Sequence, residues 1–479
     1  MERRRKQPNL FETNKDYLSE GGVEPRVMTG EQSQTKAGTE GRDGLHGQGG
    51  LLEQILSREN MNLAYLRVKG NRGSAGIDGM KTDELLGHLK VHGQSLLHDL
   101  LEGRYRPQAV KRVEIPKPDG GKRGLGIPTA VDRMIQQAIA QILTPIFDAG
   151  FLPHSYGFRP GKSAHQAIKA ANVYITDGYK VVVDIDLEKF FDRVNHDKLM
   201  HLVSLKVQDK RVLRLIRRFL ESGIMVGGLF EASTEGTPQG GPLSPLLSNI
   251  MLHELDKELK RRGHRFCRYA DDCNIYVRSK RSAERVMAGI SQFIENELLL
   301  KVNKTKSEVG SPKRRKFLGF SFYSKEKGKA GVRIHPKSVE RVKEKVRKLT
   351  SRSNAMSMAQ RIGKLSSLIT GWTSYFRLAD MKGQCAELDE WMRRRLRMCH
   401  WKDWKKISAK YSNLIKLGID KGKAWEFANT RKGYWRIAKS PILHRTLTNA
   451  YFENLELMTF SLAYKQFSNF TNRPMPNGT

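Results

Sequence analysis

Residues 268–277 read RYADDCNIYV, and in this stretch two adjacent aspartates interrupt a run of aromatic and β-branched residues. The apolar positions on both sides of Asp271 and Asp272 predict two short strands joined by a tight turn. Neighbouring carboxylates repel each other, and a charge is costly to bury unless a partner neutralises it. The acidic pair therefore requires a compensating positive charge.

A second acidic pair lies in the stretch YKVVVDID, about 85 residues before the first. Its run of three valines, Val181 to Val183, predicts a buried strand. Period-two alternation then places Asp184 and Asp186 on one face of that strand. If this strand and the 268–277 hairpin are neighbours, three carboxylates converge.

Divalent cations are the best explanation for converging carboxylates in so basic a chain. Mg²⁺ prefers carboxylate oxygens and also bridges to substrate phosphates. Two such ions can activate a hydroxyl and stabilise a departing pyrophosphate, which is the chemistry of nucleotide polymerisation. The alternative is that residues 269–272 form an acidic turn by chance.

The length and charge of the chain limit the classes of protein it can belong to. Its 479 residues suffice for roughly three or four domains. Its 85 Lys and Arg against 50 Asp and Glu give a net charge of +35, and residues 1–50 are neutral overall, so the charge belongs to the rest of the chain. This imbalance favours a nucleic-acid partner over a basic surface that serves only solubility.

Other features of the composition indicate a cytoplasmic protein without a membrane segment. The four cysteines form no CxxC pair, which indicates reduced thiols and argues against a zinc module at the C-terminus. No apolar run is long enough to span a bilayer, and the N-terminus lacks the apolar core of a signal peptide. Residues 1–50 are poor in apolar positions and predict a flexible leader.

The remaining pattern predicts an α+β fold, in which an antiparallel sheet is backed by helices. Leu52, Ile55, Leu56, Leu63 and Leu66 recur at helical spacing at the start of the folded region. Residues 112–128 predict a β-hairpin with basic residues around an Asp-Gly-Gly turn, and residues 197–221 predict a helix. The stretches KVNKTKSEVG and KFLGFSFY predict further strands of the same region.

Residues 335–410 are predicted to be helical and combine basic with aromatic residues. They contain nineteen Lys and Arg against seven Asp and Glu. Two interpretations stay open for the aromatic residues: a surface that follows a phosphate backbone and stacks on bases, or a core that leaves only the charges in solvent. The aromatic residues concerned are Trp372, Tyr375, Phe376, Trp391, Trp401 and Trp404.

Six segments in order resemble the reverse transcriptases encoded by group II introns. They are EIPKPDGGKRGLGIPT, SYGFRPGKSAHQAI, VVDIDLEKFFDRVNHD, GTPQGGPLSPLLSNIML, RYADDC and KFLGFSF. The resemblance covers about residues 51–410 and is greatest to the compact bacterial group IIC type. It implies a right-hand polymerase with fingers, a palm made of an antiparallel sheet backed by helices, and a helical thumb.

The resemblance also implies a division of the chain. The N-terminal extension and fingers would occupy residues 51–178. The palm, with contributions to the fingers, would occupy 179–334, and the thumb or maturase domain 335–410. Residues 411–479 resemble the family's DNA-binding region only weakly. The family's longer members end in a Cys/His-rich endonuclease that is not expected here, so priming at a DNA target would need an existing 3′ end.

The resemblance assigns roles to individual residues. Asp186, Asp271 and Asp272 match the catalytic carboxylates that hold two Mg²⁺ ions, and Asp184 has a supporting role. Four positions match contacts to the incoming deoxynucleotide: Lys117, Arg123, Phe191 and Gln239. Among them, Phe191 would exclude a 2′-hydroxyl, and KFLGFSF would be the primer grip.

The implied function is RNA-directed DNA synthesis combined with maturase activity in intron splicing and mobility. The expected partners are group II intron RNA, an RNA template with its DNA primer, target DNA and deoxynucleotides. Two alternatives stay open: a reverse transcriptase of another type, for example in host defence, and an RNA-binding splicing factor with an inactive polymerase site.

Overall fold

The chain is described by a computed structural model over residues 50–116, 120–226, 229–233 and 235–471. Apart from Gly50, the predicted leader lies outside these residues, and so does Lys117. The central sheet has the strand order β6-β7-β3-β8, and all of its neighbouring strands are antiparallel. Its strands are β3 (Val181–Ile185), β6 (Arg265–Tyr269), β7 (Asp272–Val277) and β8 (Glu308–Gly310).

The central sheet is buried on both faces because its strands alternate between two cores. Val183 and Ile275 belong to one core, together with Ile290 of helix α9 (Lys280–Asn296). Val182 and Tyr276 belong to the other core, which includes residues of helix α5 (Ala164–Thr176). The prediction of an antiparallel sheet backed by helices is therefore confirmed.

A second sheet contains the predicted hairpin. Its order is β2-β1-β4-β5, in which β1 and β2 are antiparallel and β1 runs parallel to β4. Its strands are β1 (Val110–Pro116), β2 (Lys122–Ile127), β4 (Ile224–Val226) and β5 (Leu229–Glu231).

The first four helices of the described chain are α1 (Leu51–Ile55), α2 (Arg58–Gly70), α3 (Leu85–Leu101) and α4 (Ala130–Asp148), and both α1 and α2 pack against α4. The predicted apolar face was wrong in part, because Leu63 and Leu66 are 44% and 41% exposed. A break at Ser57, which caps α2 through its side chain, shifts the helical phase. As a result Met61, Ala64 and Tyr65 are buried instead.

The segment between the two acidic pairs contains more helices than predicted. The single helix predicted over residues 197–221 is two helices, α6 (His196–Ser204) and α7 (Lys210–Leu220). The side chain of Asp209 caps α7 by accepting the Arg211 N–H, so a new helix begins there. Helix α8 (Ser244–Arg261) follows the Gly/Pro-rich loop as predicted.

The predicted strand in KFLGFSFY is not part of the central sheet. Strand β9 (Phe320–Ser324) pairs with β10 (Ala330–Ile334) in a separate two-stranded sheet. Within the stretch KVNKTKSEVG, only the short β8 joins the central sheet, while Val302 forms an isolated bridge to Leu187.

The last part of the described chain is helical. Residues 335–410 contain α10 (Pro336–Leu349), α11 (Met358–Phe376) and α12 (Lys382–Asp403). The following helices are α13 (Ile407–Lys416), α14 (Lys421–Ala428), α15 (Tyr434–Ile437), α16 (Pro441–Thr446), α17 (Asn449–Asn454) and α18 (Phe460–Thr471).

A shared core joins the early helices of this region to the last one. Buried Asp389 on α12 accepts the backbone N–H groups of Phe460 and Ser461 at 2.7 and 2.9 Å and so satisfies the start of α18. Trp401 and Phe376 are buried, whereas Tyr375 is 38% exposed, so the core interpretation holds for several of the aromatic residues. None of the helices in the described ranges is long and apolar enough to cross a membrane.

Candidate active site

The adjacent aspartates lie at the predicted tight turn. Strands β6 and β7 pair as far as Tyr269 and Asp272, which leaves Ala270 and Asp271 as the turn residues. Ala270 has a φ of +57°, a conformation that residues with a Cβ seldom adopt. Gly157 contacts this turn so closely that a Cβ on it would lie 2.2 Å from the Ala270 nitrogen. The turn is therefore held in an unusual conformation by the segment packed against it.

A buried arginine holds the turn from beneath. Arg268 is 0% exposed and binds Asp256 of α8 through two hydrogen bonds of 2.8 and 2.6 Å. Its remaining donors bind Asn249 Oδ1, Ser155 Oγ and the carbonyl of Ala270 at 3.0, 2.7 and 2.9 Å. The bond to Ala270 ties the acidic turn to helix α8. Neither Arg268 nor Asp256 was predicted as a site residue.

The strand register brings the two acidic pairs together. Ile185 pairs with Cys273, so Asp186, the next residue, lies opposite Asp272. The backbone of Asp186 is fixed on its other side: its carbonyl accepts the Asn303 N–H at 2.8 Å, and its N–H donates to Ser307 Oγ at 3.0 Å. Asp186, Asp271 and Asp272 are therefore brought to one edge of the central sheet.

Asp184 has a different environment from Asp186. It lies within β3 opposite Asn274 and forms an ion pair of 2.6 Å with Arg315. Arg315 also pairs with Glu308 on β8. Asp184 is thus engaged by a cation of this chain, in keeping with a supporting role.

The crowding of carboxylates changes the protonation of Asp272. Desolvation by the surrounding protein, followed by the charges of Asp271, Asp184 and Asp186, raises the pKa of Asp272 to about 7. Its side chain still reaches solvent in the cleft, so the surrounding protein shields it on one side only. Neighbouring Lys316 is affected in the opposite sense, because desolvation and the charge of Arg341 lower its pKa.

The carboxylates line two adjoining clefts. The α10-side cleft, of about 1060 Å³, includes Asp184, Asp186 and Asp272 in its wall. The hairpin-side cleft, of about 970 Å³, includes Asp186 and Asp271. Asp186 therefore lies where the two clefts meet.

The donor set suits divalent cations. Carboxylate oxygens are the ligands that Mg²⁺ prefers, and a bound cation would relieve the repulsion that raises the pKa of Asp272. Among the described residues, no group of three or more His, Cys, Asp or Glu side chains is already arranged as a metal cluster. The residues thus fit a divalent ion by their chemistry and by their position on one sheet edge.

Phe191 and Gln239 are brought to the same cleft by backbone hydrogen bonds. The Thr237 N–H donates to the Phe191 carbonyl at 2.6 Å, which docks the Gly/Pro-rich loop onto the segment after β3. The carbonyl of Gln239 accepts the N–H of Gly126 on β2 at 2.9 Å. Phe191 and Gln239 both line the hairpin-side cleft with Asp186 and Asp271.

The hairpin supplies basic residues to this cleft, but only some of them can be placed. Arg123 lies on β2 opposite Ile115, and its side chain is not among the described groups; Lys117 is outside the described residues. Arg112 and Lys122, from the same hairpin, line the cleft. Lys122 also forms an exposed ion pair of 2.7 Å with Glu114.

Four further cations line both clefts and were missed as site residues: Lys306, Lys316, Lys337 and Arg341. Lys337 and Arg341 are one turn apart on α10, a spacing that places both on one helix face. Lys316 begins the KFLGFSF segment. Their spacing alone did not distinguish them from the many other basic residues, because their common position depends on how α10 packs.

The KFLGFSF segment forms a sharp turn in the wall of the α10-side cleft. Phe317 and Phe320 exchange two backbone hydrogen bonds of 2.9 and 2.8 Å, and Leu318 and Gly319 between them both have positive φ. The Leu318 carbonyl accepts the Tyr375 hydroxyl of α11 at 2.9 Å. The turn therefore joins the central region to the helices that follow it.

Two known families match the chain. The family described as "Reverse transcriptase (RNA-dependent DNA polymerase)" matches residues 115–322, which include every predicted site residue. The family described as "Group II intron, maturase-specific domain" matches residues 339–418.

Individual proteins also match. The chain is 35% identical to protein YkfC of Escherichia coli (strain K12), over 49% of this chain and 71% of that protein. It is 30% identical to the group II intron-encoded protein LtrA of Lactococcus lactis subsp. cremoris, over 58% of this chain and 57% of LtrA. A chain of a solved "Partial Cas6-RT-Cas1--Cas2 complex" is similar at 25% identity and a TM-score of 0.35, over 52% of this chain and 43% of that one.

Proposed function

Because the chain belongs to the family of reverse transcriptases that carry a group II intron maturase-specific domain, we propose that it copies intron RNA into DNA and assists the splicing and mobility of that intron. The observation that carries the enzymatic half is the register that sets Asp186 opposite Asp272, beside Asp271. The maturase half rests on the match over residues 339–418 and on the similarity to LtrA.

Reverse transcriptases of this family use divalent metal ions, and we assign two Mg²⁺ ions to Asp186, Asp271 and Asp272. When bound, such ions activate the primer 3′-hydroxyl and stabilise the departing pyrophosphate. The chain's own task is to hold the three carboxylates in place before the substrates arrive. The β3–β7 register and the bond from Arg268 to the Ala270 carbonyl support this task.

The remaining predicted residues would position the nucleotide. Phe191 would lie beneath the sugar and exclude a 2′-hydroxyl, and Gln239 would contact the nucleotide from the loop docked on β2. Lys117 and Arg123 would bind the triphosphate, where arginine offers a forked donor and lysine a point charge. We add Arg112 and Lys122 as candidates for the same task, because both line the hairpin-side cleft.

The partners follow from the two matched families and the clefts. The α10-side cleft, lined by Lys337 and Arg341 beside the carboxylates, is proposed to hold the RNA template and DNA primer. Group II intron RNA is the proposed partner of the maturase-specific region. Target DNA is proposed for residues 411–479, and the group IIC type stays a prediction from the motifs.

The domain limits are likewise proposed. The hairpin sheet supports fingers over residues 51–178, and the central sheet supports a palm over 179–334 that contributes β4 and β5 to the fingers sheet. A thumb over residues 335–410 agrees with the three long helices α10, α11 and α12.

Primer extension tests the proposal. Wild-type protein is mixed with a DNA primer on a long RNA template, deoxynucleotides and Mg²⁺, and is compared with Asp271→Ala plus Asp272→Ala. The wild type is expected to make cDNA, and the variant to lose at least about three orders of magnitude in rate, since several kcal/mol of transition-state stabilisation disappear. If neither makes cDNA while both bind structured RNA tightly, the splicing factor without polymerase activity is the correct function.

A further inference from the structure

A cavity of about 670 Å³ lies between the helices of the maturase-specific region and the residues that follow them. We call it the arginine pocket and define it by Arg347, Arg352, Arg395, Tyr434, Trp435 and Arg436. Arg347 comes from the end of α10, Arg352 from the loop after it and Arg395 from α12. The other three residues belong to α15, so two segments that are separate in sequence form its walls.

The arginine pocket concentrates positive charge. Among the described residues that line it, four are arginines and none is acidic. Arg347 pairs with Glu340 at 2.5 Å. Arg352, Arg395 and Arg436 form no ion pair within the described part of the chain. A polyanion would neutralise these charges.

Aromatic rings hold the arginines in place. The guanidinium of Arg352 lies 4.9 Å from the centre of the Tyr434 ring, and that of Arg395 lies 5.5 Å from the Trp391 ring. Arg394, beside the pocket, stacks at 3.9 Å on Trp435. Stacking leaves the edge N–H donors of Arg352 available for a forked bond to phosphate, whereas Arg395 uses its Nε and one terminal nitrogen on Thr350 and Arg347.

The backbone around the pocket is also ordered before any ligand binds. Arg361 is buried and donates to the carbonyls of Leu349 and Ser351, each at 2.9 Å, which shapes the loop that carries Arg352. Arg395 Nε donates to Thr350 Oγ1 at 2.6 Å. Groups that are ordered in advance lose less entropy when they bind a ligand.

We propose that the arginine pocket binds an unpaired nucleotide of structured RNA, with its phosphate on the arginines and its base on Trp435. Its volume of about 670 Å³ lies within the range of small-molecule sites, and the pocket opens widely to solvent. Trp435 is 39% exposed, so part of its ring is open to a base. Unpaired bases that stack on aromatic residues are typical of RNA loops and bulges, whereas duplex DNA presents phosphates without free bases.

This inference rests on the proposed function, because it names the place where the maturase-specific region would contact RNA. It also adds a consequence. Since α12 and α15 both line the pocket, a bound nucleotide would connect the maturase-specific region to the segment after it.

The test measures the affinity of the full chain for an RNA stem–loop with an unpaired purine loop. The pocket variant is Arg352→Gln plus Arg436→Gln, both at exposed positions. The matched control is Arg281→Gln plus Arg285→Gln on α9, which removes the same charge from exposed residues without an ion pair in the described chain. We expect the pocket variant to weaken binding by at least about tenfold and the control by less than about threefold.

A second pair of variants tests the base contact. Trp435→Ala is expected to weaken binding by about tenfold, and Trp435→Phe to restore most of that affinity, since a ring is kept. Affinity should also depend less steeply on salt in the pocket variant. The slope of the logarithm of the binding constant against the logarithm of the salt concentration should fall by about one for each phosphate that is no longer bound.

Any of three results would overturn the inference. The pocket and control variants could lose equal affinity for the stem–loop, or the pocket variant could lose as much affinity for a duplex DNA of the same sequence as for the RNA. The third result is that Trp435→Ala binds the RNA as tightly as the wild type. These results can be told apart from a failure of the proposed function. Failure of the polymerase proposal is seen with wild-type protein, as absent cDNA on a primed template, whatever the variants do.

Discussion

The central sheet and the arginine pocket both collect charges of one sign, but they hold them by different means. At the sheet edge, Asp271 and Asp272 sit on a turn fixed by a fully buried ion pair, Arg268 with Asp256. In the pocket, Arg352 and Arg395 are partly or fully exposed and are held by aromatic rings.

The difference corresponds to what each region is proposed to do. A two-metal reaction requires ligands fixed to within a fraction of an ångström, and a buried, fully hydrogen-bonded arginine provides such a fixed support. Binding an RNA phosphate requires less exact placement than metal ligation, because the contact is largely electrostatic even where a forked bond adds direction. The comparison predicts large energetic effects at the sheet and small ones at the pocket.

The largest effect on stability is expected from Arg268→Leu. It leaves the carboxylate of Asp256 buried without a cation, which costs about 3–5 kcal/mol in the free energy of unfolding. Adding Asp256→Leu should recover most of that free energy, because an apolar pair replaces a buried ion pair at little net cost. Urea unfolding of the two variants and the wild type measures both quantities.

The same two variants show whether Arg268 stabilises only the fold or also positions the acidic turn. The double variant lacks the donor to the Ala270 carbonyl, so primer extension should stay slow even though stability returns. Full polymerase activity in the stable double variant would show that Arg268 does not position the acidic turn. The claim that the catalytic carboxylates need a rigid buried support would then be wrong.

The second effect concerns shape rather than charge. Phe191→Ala is expected to reduce the preference for deoxynucleotides over ribonucleotides by up to about 100-fold, because the wall proposed to exclude the 2′-hydroxyl is removed. Single-nucleotide extension with each nucleotide type gives the two values of kcat/KM. The control is Phe230→Ala, an exposed phenylalanine on β5, for which the preference should not change. Unchanged discrimination in Phe191→Ala would remove Phe191 from the nucleotide site.

These features differ in how well the sequence predicted them. The acidic turn and the valine strand depend on neighbouring residues, and the structure confirms both. The antiparallel sheet was predictable because period-two alternation and hairpin signals are also local.

The supports of the site could not be predicted in the same way. Arg268 gathers partners from two other segments, the loop with Ser155 and helix α8 with Asn249 and Asp256, and no spacing in the sequence connects them. The exposure of Leu63 and Leu66 was missed because a single cap at Ser57 changes the phase of the helix. The separate two-stranded sheet of β9 and β10 was not predicted, because a strand pattern does not specify the partner of a strand.

A smaller effect is expected from pH at the acidic site. The pKa of Asp272 is raised from 3.8 to about 7, so the folded protein holds this proton more tightly than the unfolded chain. Without metal, the stabilising contribution of Asp272 is therefore largest below about pH 4 and declines as the pH rises to about 7. Each pH unit changes it by at most about 1.4 kcal/mol, and by less here because solvent screens the carboxylate.

Thermal unfolding between about pH 5 and pH 8 tests this sign. In chelator, Asp272→Asn should flatten the decline that the wild type shows, while Asp83→Asn, at an exposed position, should leave it unchanged. Added Mg²⁺ should restore stability mainly at the higher pH, where the carboxylate is ionised. A wild type that becomes more stable with rising pH, relative to Asp272→Asn in chelator, would contradict the raised pKa.

The smallest effect is expected in the arginine pocket. Trp391 lies under both Arg347 and Arg395, and each contact of this kind is worth about 0.5–1 kcal/mol at an exposed site. A double-mutant cycle of Trp391→Leu with Arg395→Met should therefore give a coupling energy below about 1 kcal/mol. The same cycle for Arg268→Leu with Asp256→Leu should give several times that value, because a lone charge is left buried in each single variant. If the two coupling energies were equal, the arginines of the pocket would be held as firmly as the acidic turn. The proposed difference, that the RNA contact needs less exact placement than the metal ligands, would then be wrong.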